Sequence, residues 1–167
     1  MIRIAVLTAA EHDWSHGPNF SQIINGCTEE RARTAGMKFI PSSVAPLCDD
    51  ARVTAIWTPD PARTKVVAKA LDIPWAMCRS DDAVGKVDAV LSSDDSCEQW
   101  EDRNASWAMP YIAAGTPAFL DKPLSHSTRE AFEVVDLARE KSAPILSCSG
   151  FRFSETVRSQ RRNMETL

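Results

Sequence analysis

Pro117-Ala118-Phe119-Leu120-Asp121-Lys122-Pro123-Leu124 is a short apolar run that ends abruptly in an acid, a cation and a proline. Consecutive apolar residues suit a strand buried on both faces, as in a parallel sheet covered by helices. Pro123 has no N–H to donate and stops the ladder. Asp121 and Lys122 therefore fall at the carboxyl end of a central strand, the edge where open α/β sheets bind ligands. The plain alternative is a surface ion pair at a strand exit.

Downstream, Ser127 to Lys141 reads as the best helix in the chain. Ser127 and Glu130 have capping-box spacing, and Phe132, Val135, Leu137 and Ala138 supply an apolar face. Pro144 to Cys148 reads as a sixth strand, and the polar stretch from Ser154 to Leu167 begins like another helix. Upstream, Asn104 to Ala114 is helical and stops at Gly115. Asp88 to Ser92 is a fourth strand after a brief helix near Asp81 to Gly85, and Ile73 to Cys78 is a short third. Val53 to Trp57 is a second strand, with Pro61 opening a helix over Ala62 to Leu71. Ile2 to Leu7 is the first strand. His12 to Pro18 reads as a loop closed by Gly-Pro punctuation, and Asn19 or Ser21 then caps a helix carrying Phe20, Ile23 and Ile24. Glu29 to Ala35 extends a helix, and Lys38 to Asp50 is loop or a short edge piece. Strands alternating with helices predict the α/β class: a doubly wound, mainly parallel, Rossmann-like sheet joined by right-handed crossovers.

The totals exclude several function classes. A net charge of −4 gives no footprint for nucleic acid or an anionic membrane. No apolar run approaches a membrane span, and Met1 to Leu7 is too short for a signal peptide. The five cysteines, Cys27, Cys48, Cys78, Cys97 and Cys148, are odd in number and form no C-x-x-C pair. Scattered thiols point to a reducing cytoplasm, with buried small hydrophobes as their expected role.

With the elements in this order, the sequence resembles the N-terminal domain of the Gfo/Idh/MocA oxidoreductase family. The carrying residues are Trp57 to Arg63 (WTPDPAR), Val87 to Leu91 (VDAVL), Pro110 to Leu124 and Ser149 to Phe153 (SGFRF). The resemblance runs from about Val53 to Phe153. It implies that residues 1–150 are a dinucleotide-binding domain and that 151–167 open a truncated C-terminal substrate domain. The implied cofactor is NAD or NADP, and the implied substrate is a small sugar- or polyol-like molecule. Lys122 is carried over as the lysine beside the nicotinamide, where a cation would polarise a reacting hydroxyl or carbonyl. Asp121, Lys122 and Pro123 are carried over together as the cofactor-facing tripeptide.

Three features depart from the family pattern. The dinucleotide fingerprint G-x-G-x-x-G is replaced by Thr8 to Gly17 (TAAEHDWSHG), with one glycine. Glu11 and Asp13 would repel phosphate unless turned away, whereas Thr8, Ala9, His12 and His16 are the candidates for contacting it. His12-Asp13-Trp14-Ser15-His16 also has the outline of H-E-x-x-H, but it follows a strand, has Asp for Glu and lacks a third ligand, so no metal is expected. Second, Thr58 stands where an acid would hold the adenosine ribose; with Arg63 within reach, this tilts the expectation slightly toward NADP. Third, family members continue well beyond Leu167, so the chain is expected to be a fragment or truncated product, inactive alone. Histidine and acid residues that the family takes from its second domain are then missing.

Ser92 and Ser93 lie where the family's loop passes the cofactor ribose and nicotinamide, and the resemblance implies that their hydroxyls contact the dinucleotide. Asp94 and Asp95 are polar loop residues there, and Trp100 and Trp107 are expected to pack rather than stack on a ligand. A non-catalytic Rossmann-like binding or assembly module that has lost its dinucleotide turn is the alternative function. Apolar surface left by a missing domain makes a homo-oligomer a further expectation.

Overall fold

The computed structural model of the chain describes residues 1–94 and 103–164. Expectations placed on Asp95, Cys97 and Trp100 lie outside the described residues. The chain runs β1 (Ile2–Thr8), α1 (His16–Asn25), α2 (Glu29–Thr34), a 3-10 turn (Pro41–Ser43), β2 (Ala51–Trp57), α3 (Pro61–Ala70) and β3 (Trp75–Ala76). It continues through β4 (Ala89–Ser93), α4 (Arg103–Ala113), β5 (Ala118–Leu120), α5 (Thr128–Glu140), β6 (Ile145–Leu146), a 3-10 turn (Gly150–Phe153) and α6 (Glu155–Met164). All pairings are parallel, and the strand order is β3-β2-β1-β4-β5-β6. This is the doubly wound Rossmann order, and its direction reverses between β1 and β4. Thr8 pairs with Ser93 at the carboxyl mouth of that switch point.

Alternation along the strands feeds two cores. Leu7, Val90 and Leu120 pack against Tyr111 and Ile112 of α4 and Val134 of α5. Val6, Ile56 and Leu91 pack with Val67 of α3 and Ala32 of α2 on the other side. Each such aliphatic side chain, fully buried, contributes roughly 1.5–3 kcal/mol. β5 is covered less completely than its apolar run predicts: Ala118 and Leu120 are buried, but Phe119 is only half-buried.

A buried amide holds α1 to the sheet. The β1–β2 register shifts between Ile4 and Ala5, opening the ladder at Val53. Asn25, at the end of α1, fills the gap: its Oδ1 accepts from the Val53 N–H at 2.8 Å, and its Nδ2 donates to the carbonyls of Val53 at 3.0 Å and Leu71 at 3.2 Å. Buried backbone groups at a bulge need such partners.

Six expectations are corrected. The His12–Pro18 loop is shorter than predicted, because α1 begins at His16 with Ser15 as its N-cap residue. Pro18 is accommodated because first-turn N–H groups have no intrahelical partner. Asp81 to Gly85 is a series of tight turns, not a helix: Val84 and Lys86 donate three residues back, and Gly85 has φ of +72°. The capping box is rearranged. Ser127 Oγ accepts from the Glu130 N–H, but the Glu130 carboxylate takes the Ser125 hydroxyl at 2.7 Å. On α5, Phe132 is 63% exposed, and Val134 with Ala138 make the buried contact. Among the described cysteines, only Cys27 is buried; Cys48 and Cys78 are exposed and Cys148 is half-buried. β3 and β6 are also shorter than predicted, each pairing through two residues.

Candidate functional site

Three strand exits converge at the switch point. After β1, the chain turns through Ala10, whose φ of +52° is a left-handed conformation usually taken by glycine. Arg63 of α3 fastens the turn: its Nε donates to the Ala10 carbonyl at 3.0 Å, and its Nη1 donates to the Ala35 carbonyl. Burial lowers the proton affinity of this guanidinium, opposed by the charge of Asp60. Gly17, in the first turn of α1, lies directly against Thr8; an added Cβ would stand 2.4 Å from the Thr8 Cβ. The surviving glycine of the loop thus allows close helix–strand approach.

Thr8 and Ser92 are fully buried, and Thr8 Oγ1, Ser92 Oγ and His12 Nε2 are buried polar atoms without a hydrogen-bond partner. The His12 ring stacks on Trp14 at 4.9 Å, while its backbone N–H donates to Ser15 Oγ at 3.1 Å. Thr58 is also buried, and its hydroxyl bonds Thr64 Oγ1 at 2.8 Å and the Asp60 carbonyl at 2.7 Å. That hydroxyl is used inside the turn that starts α3. Arg63, the other residue expected near the adenosine ribose, has its Nε and Nη1 on the Ala10 and Ala35 carbonyls.

The exit of β5 carries the densest polar cluster. Asp121 is 3% exposed, and its Oδ2 lies 2.5 Å from His16 Nδ1 and accepts from Ser93 Oγ at 3.0 Å. Its Oδ1 accepts from the Lys122 N–H at 2.8 Å. Burial pushes the carboxyl up, but the bonds from His16, Lys122 and Ser93 outweigh it and hold Asp121 below its ordinary range. Asp121 is therefore a carboxylate that accepts on both oxygens. It is not the surface ion pair that the sequence left open.

Asn104 of α4 joins two exits. Its Oδ1 accepts from the Asp94 N–H at 2.5 Å, and its Nδ2 reaches the carbonyls of Asp121 at 3.5 Å and Pro123 at 3.4 Å. Arg103 grips Asp94 through Nε at 2.6 Å and lies 3.9 Å from Glu11. Its guanidinium also sits over Trp107, which packs edge-on to Trp57 at 5.1 Å. Glu11, one of two acids expected to repel phosphate, is thus drawn to a cation. Lys122 and Pro123 are exposed and joined by a cis peptide bond. Lys122, Asp121 and His16 line one cavity of about 790 Å³, walled by Phe20, Phe119 and Phe151.

The structure brings Ala9, His12, His16, Asp121, Lys122 and Pro123 to one sheet edge, with Arg63 bracing its turn. It closes Thr8 and Ser92, a strand residue rather than the expected loop residue, inside the ends of β1 and β4, and Thr58 inside the turn that starts α3. Sequence reasoning missed Asn104 and the pairing of His16 with Asp121, because 105 residues separate the last two. Only the register of β4 and β5 could have revealed them. The His12 ring stacks on Trp14, and the His16 ring meets Asp121. The mouth fits a dinucleotide. Ala10 makes the tight turn, α1 opens onto it, and His12 Nε2 is an unmatched polar atom beside it.

A sequence model of an oxidoreductase family with an NAD-binding Rossmann fold (GFO_IDH_MocA) matches residues 35–147. No curated protein matches the sequence significantly. Solved structures share the fold. The WlbA dehydrogenase of Chromobacterium violaceum, solved with NADH and UDP-GlcNAcA, superposes with a TM-score of 0.70 at 16% identity, over 99% of this chain and 40% of its own. A 3-ketoreductase of Actinomadura kijaniata, solved with TDP-benzene and NADP, gives 0.65 at 18% identity over 99% and 43%. The scyllo-inositol dehydrogenase of Lactobacillus casei, solved with NAD(H) and scyllo-inositol, gives 0.63 at 16% identity over 99% and 41%. The chain spans about two fifths of the length of these structures.

Proposed function

The chain belongs to the Gfo/Idh/MocA oxidoreductase family, and we propose that it is the NAD(P)-binding domain of an enzyme oxidising or reducing a sugar- or polyol-type hydroxyl or carbonyl. The observation that carries this reading is the polar cluster at the β5 exit. Asp121 is buried and fully bonded, and it fixes the backbone from which Lys122 enters the cavity.

In this reading residues 1–150 form the cofactor domain, and 151–167 begin a substrate-facing domain. The exposure of Phe151 and Phe153 supports that division. A bound nicotinamide dinucleotide supplies the hydride donor or acceptor. The Lys122 ammonium polarises the reacting oxygen and favours its developing negative charge. Ala9, Ala10 and the first turn of α1 receive the phosphates, and His12 donates to them. Asn104 keeps the β4 and β5 exits in register, and so keeps Lys122 in place. The finer preference, NADP over NAD, rests on Arg63 and on the absence of an acid at position 58. Among the described residues no helix is long and apolar enough to cross a membrane. The exposed thiols of Cys48 and Cys78 support placement in a reducing cytoplasm.

Fluorescence titration of the chain with NADH and NADPH tests the reading. Saturable binding, tighter for NADPH and weakened by Arg63→Ala, is expected. No binding of either nucleotide at millimolar concentration would sink it.

A further inference from the structure

We propose that the cavity beside Lys122 receives an apolar, ring-sized group that adjoins the reacting hydroxyl or carbonyl of the substrate; this rests on the oxidoreductase reading above and narrows its substrate class.

A central parallel strand is ordinarily covered on both faces. On β5, Ala118 and Leu120 are buried against α4 and α5, but Phe119, on the opposite face, stays half-buried. Phe20 of α1 meets it edge-on, with ring centroids 5.7 Å apart. Beyond β6, the 3-10 turn Gly150–Phe153 adds Phe151 and Phe153, which are 78% and 63% exposed. These four rings, with Ile23 of α1, wall the cavity of about 790 Å³. Small-molecule sites of this size pair a mainly apolar lining with a few polar groups.

Several polar groups on the wall are already bonded within the protein. Asn19 donates through Nδ2 to the Trp14 carbonyl at 2.9 Å and accepts from Gln22 Nε2 at 3.5 Å. Asp121 is bonded on both oxygens, to His16, Ser93 and the Lys122 N–H. Ser149 Oγ accepts from the Phe151 N–H at 3.3 Å. A polyol with a hydroxyl on every ring carbon would give up water here and find few replacement partners. An apolar ring needs none and gains contact with the phenylalanines. The ammonium of the exposed Lys122 stands on the same cavity as a charged donor to an oxygen. The wall therefore selects an oxygen function at Lys122 with an aromatic or alicyclic group beside it. Further hydroxyls of the substrate point away from the phenylalanines.

Amide spectra of the full chain in saturating NADH, titrated with cyclohexanol or with myo-inositol, provide the test. The two share one carbon ring, but the first carries a single hydroxyl and the second a hydroxyl on every carbon. Cyclohexanol should give saturable shifts at Phe119, Lys122 and Phe151, at about tenfold lower concentration than myo-inositol. Phe151→Ser should weaken cyclohexanol about fivefold and leave thermal unfolding unchanged, since Phe151 is exposed. Myo-inositol binding as tightly as cyclohexanol, an unchanged cyclohexanol affinity in Phe151→Ser, or equal shifts at Phe132, exposed on α5 outside the cavity, overturns the proposal. So does sedimentation showing two copies of the chain paired through the phenylalanine wall, abolished by Phe151→Ser, with no saturable cyclohexanol shift. If NADH moves the Ala9 and Ala10 amides but cyclohexanol moves nothing, the substrate class fails and the cofactor reading stands. If NADH moves nothing while cyclohexanol still saturates at the cavity, the cofactor reading fails and the ligand class of the cavity stands.

Discussion

Replacing Gly17 by alanine should destabilise the protein, against the usual sign for such a change in a helix. Alanine is favoured over glycine inside helices by roughly 1 kcal/mol. Here the new Cβ would stand 2.4 Å from Thr8 Cβ and 2.5 Å from Thr8 Oγ1. Carbon atoms pack comfortably at about 3.5–4.0 Å, so α1 must lift from β1 by roughly 1 Å. Thr8 Cβ is fixed to a strand and cannot rotate aside. Overpacking of this kind costs about 3 kcal/mol at the upper end of its usual range. After the helix gain, a net loss of about 2 kcal/mol remains, which lowers Tm by roughly 4–8 °C for a chain of this size. Urea and thermal unfolding followed by circular dichroism measure it. A second variant sharpens the test. Thr8→Ala keeps the offending Cβ and should not rescue Gly17→Ala, whereas Thr8→Gly removes it and should recover part of the loss. A Gly17→Ala protein as stable as the parent, or equal rescue by Thr8→Ala and Thr8→Gly, refutes the close-approach argument.

Asn25→Ala strips partners from buried backbone groups of Val53 and Leu71 and should cost about 2–4 kcal/mol in urea unfolding; a loss below 1 kcal/mol contradicts the bulge-filling role. The chain has one tyrosine, so an absorbance titration reads Tyr111 alone. Burial pushes its phenol up to about 12, while its hydroxyl donates to the Ser80 carbonyl at 2.7 Å. The folded state therefore holds this proton where the unfolded chain releases it, near pH 10. Its stabilising contribution is complete below pH 10 and is lost as pH rises toward 12. Phenolate appearing near pH 10 in folded protein contradicts this. Asp121 runs the other way. Its folded value is depressed, so its contribution is present above the ordinary carboxylate range and fades as pH falls below it; Asp121→Asn should flatten that acid limb in pH-dependent unfolding.

The fold was legible because its signals are local. Pro61 after Asp60, Ser127 before α5 and Gly115 after α4 each mark an element end by backbone chemistry alone. The errors arose where tertiary contacts override such signals. Gly17-Pro18 looks like loop punctuation, yet it begins a helix because the missing side chain lets that helix touch Thr8. Phe132 fits an apolar face by spacing, but the helix turns Val134 and Ala138 inward. The site was half legible. Lys122 stood out beside Pro123 at a strand end. Asp121 looked like its ionic companion, whereas its partners are His16 and Ser93, brought near only by sheet order. Asn104 gave no signal, since a polar residue opening a helix looks like any other.

The central claim is that the carboxyl edge between β1, β4 and β5 receives a nicotinamide dinucleotide beside Lys122. Backbone amide spectra of the isotope-labelled chain, recorded while NADPH or NADH is added, test it directly. The account predicts saturable shifts at Ala9 to His12, at Ser93 and Asp94, and at Asp121 and Lys122, with the opposite sheet edge near Arg3 and Asp88 unmoved. Shifts confined to the Arg3–Asp88 edge, or none at millimolar nucleotide, contradict it.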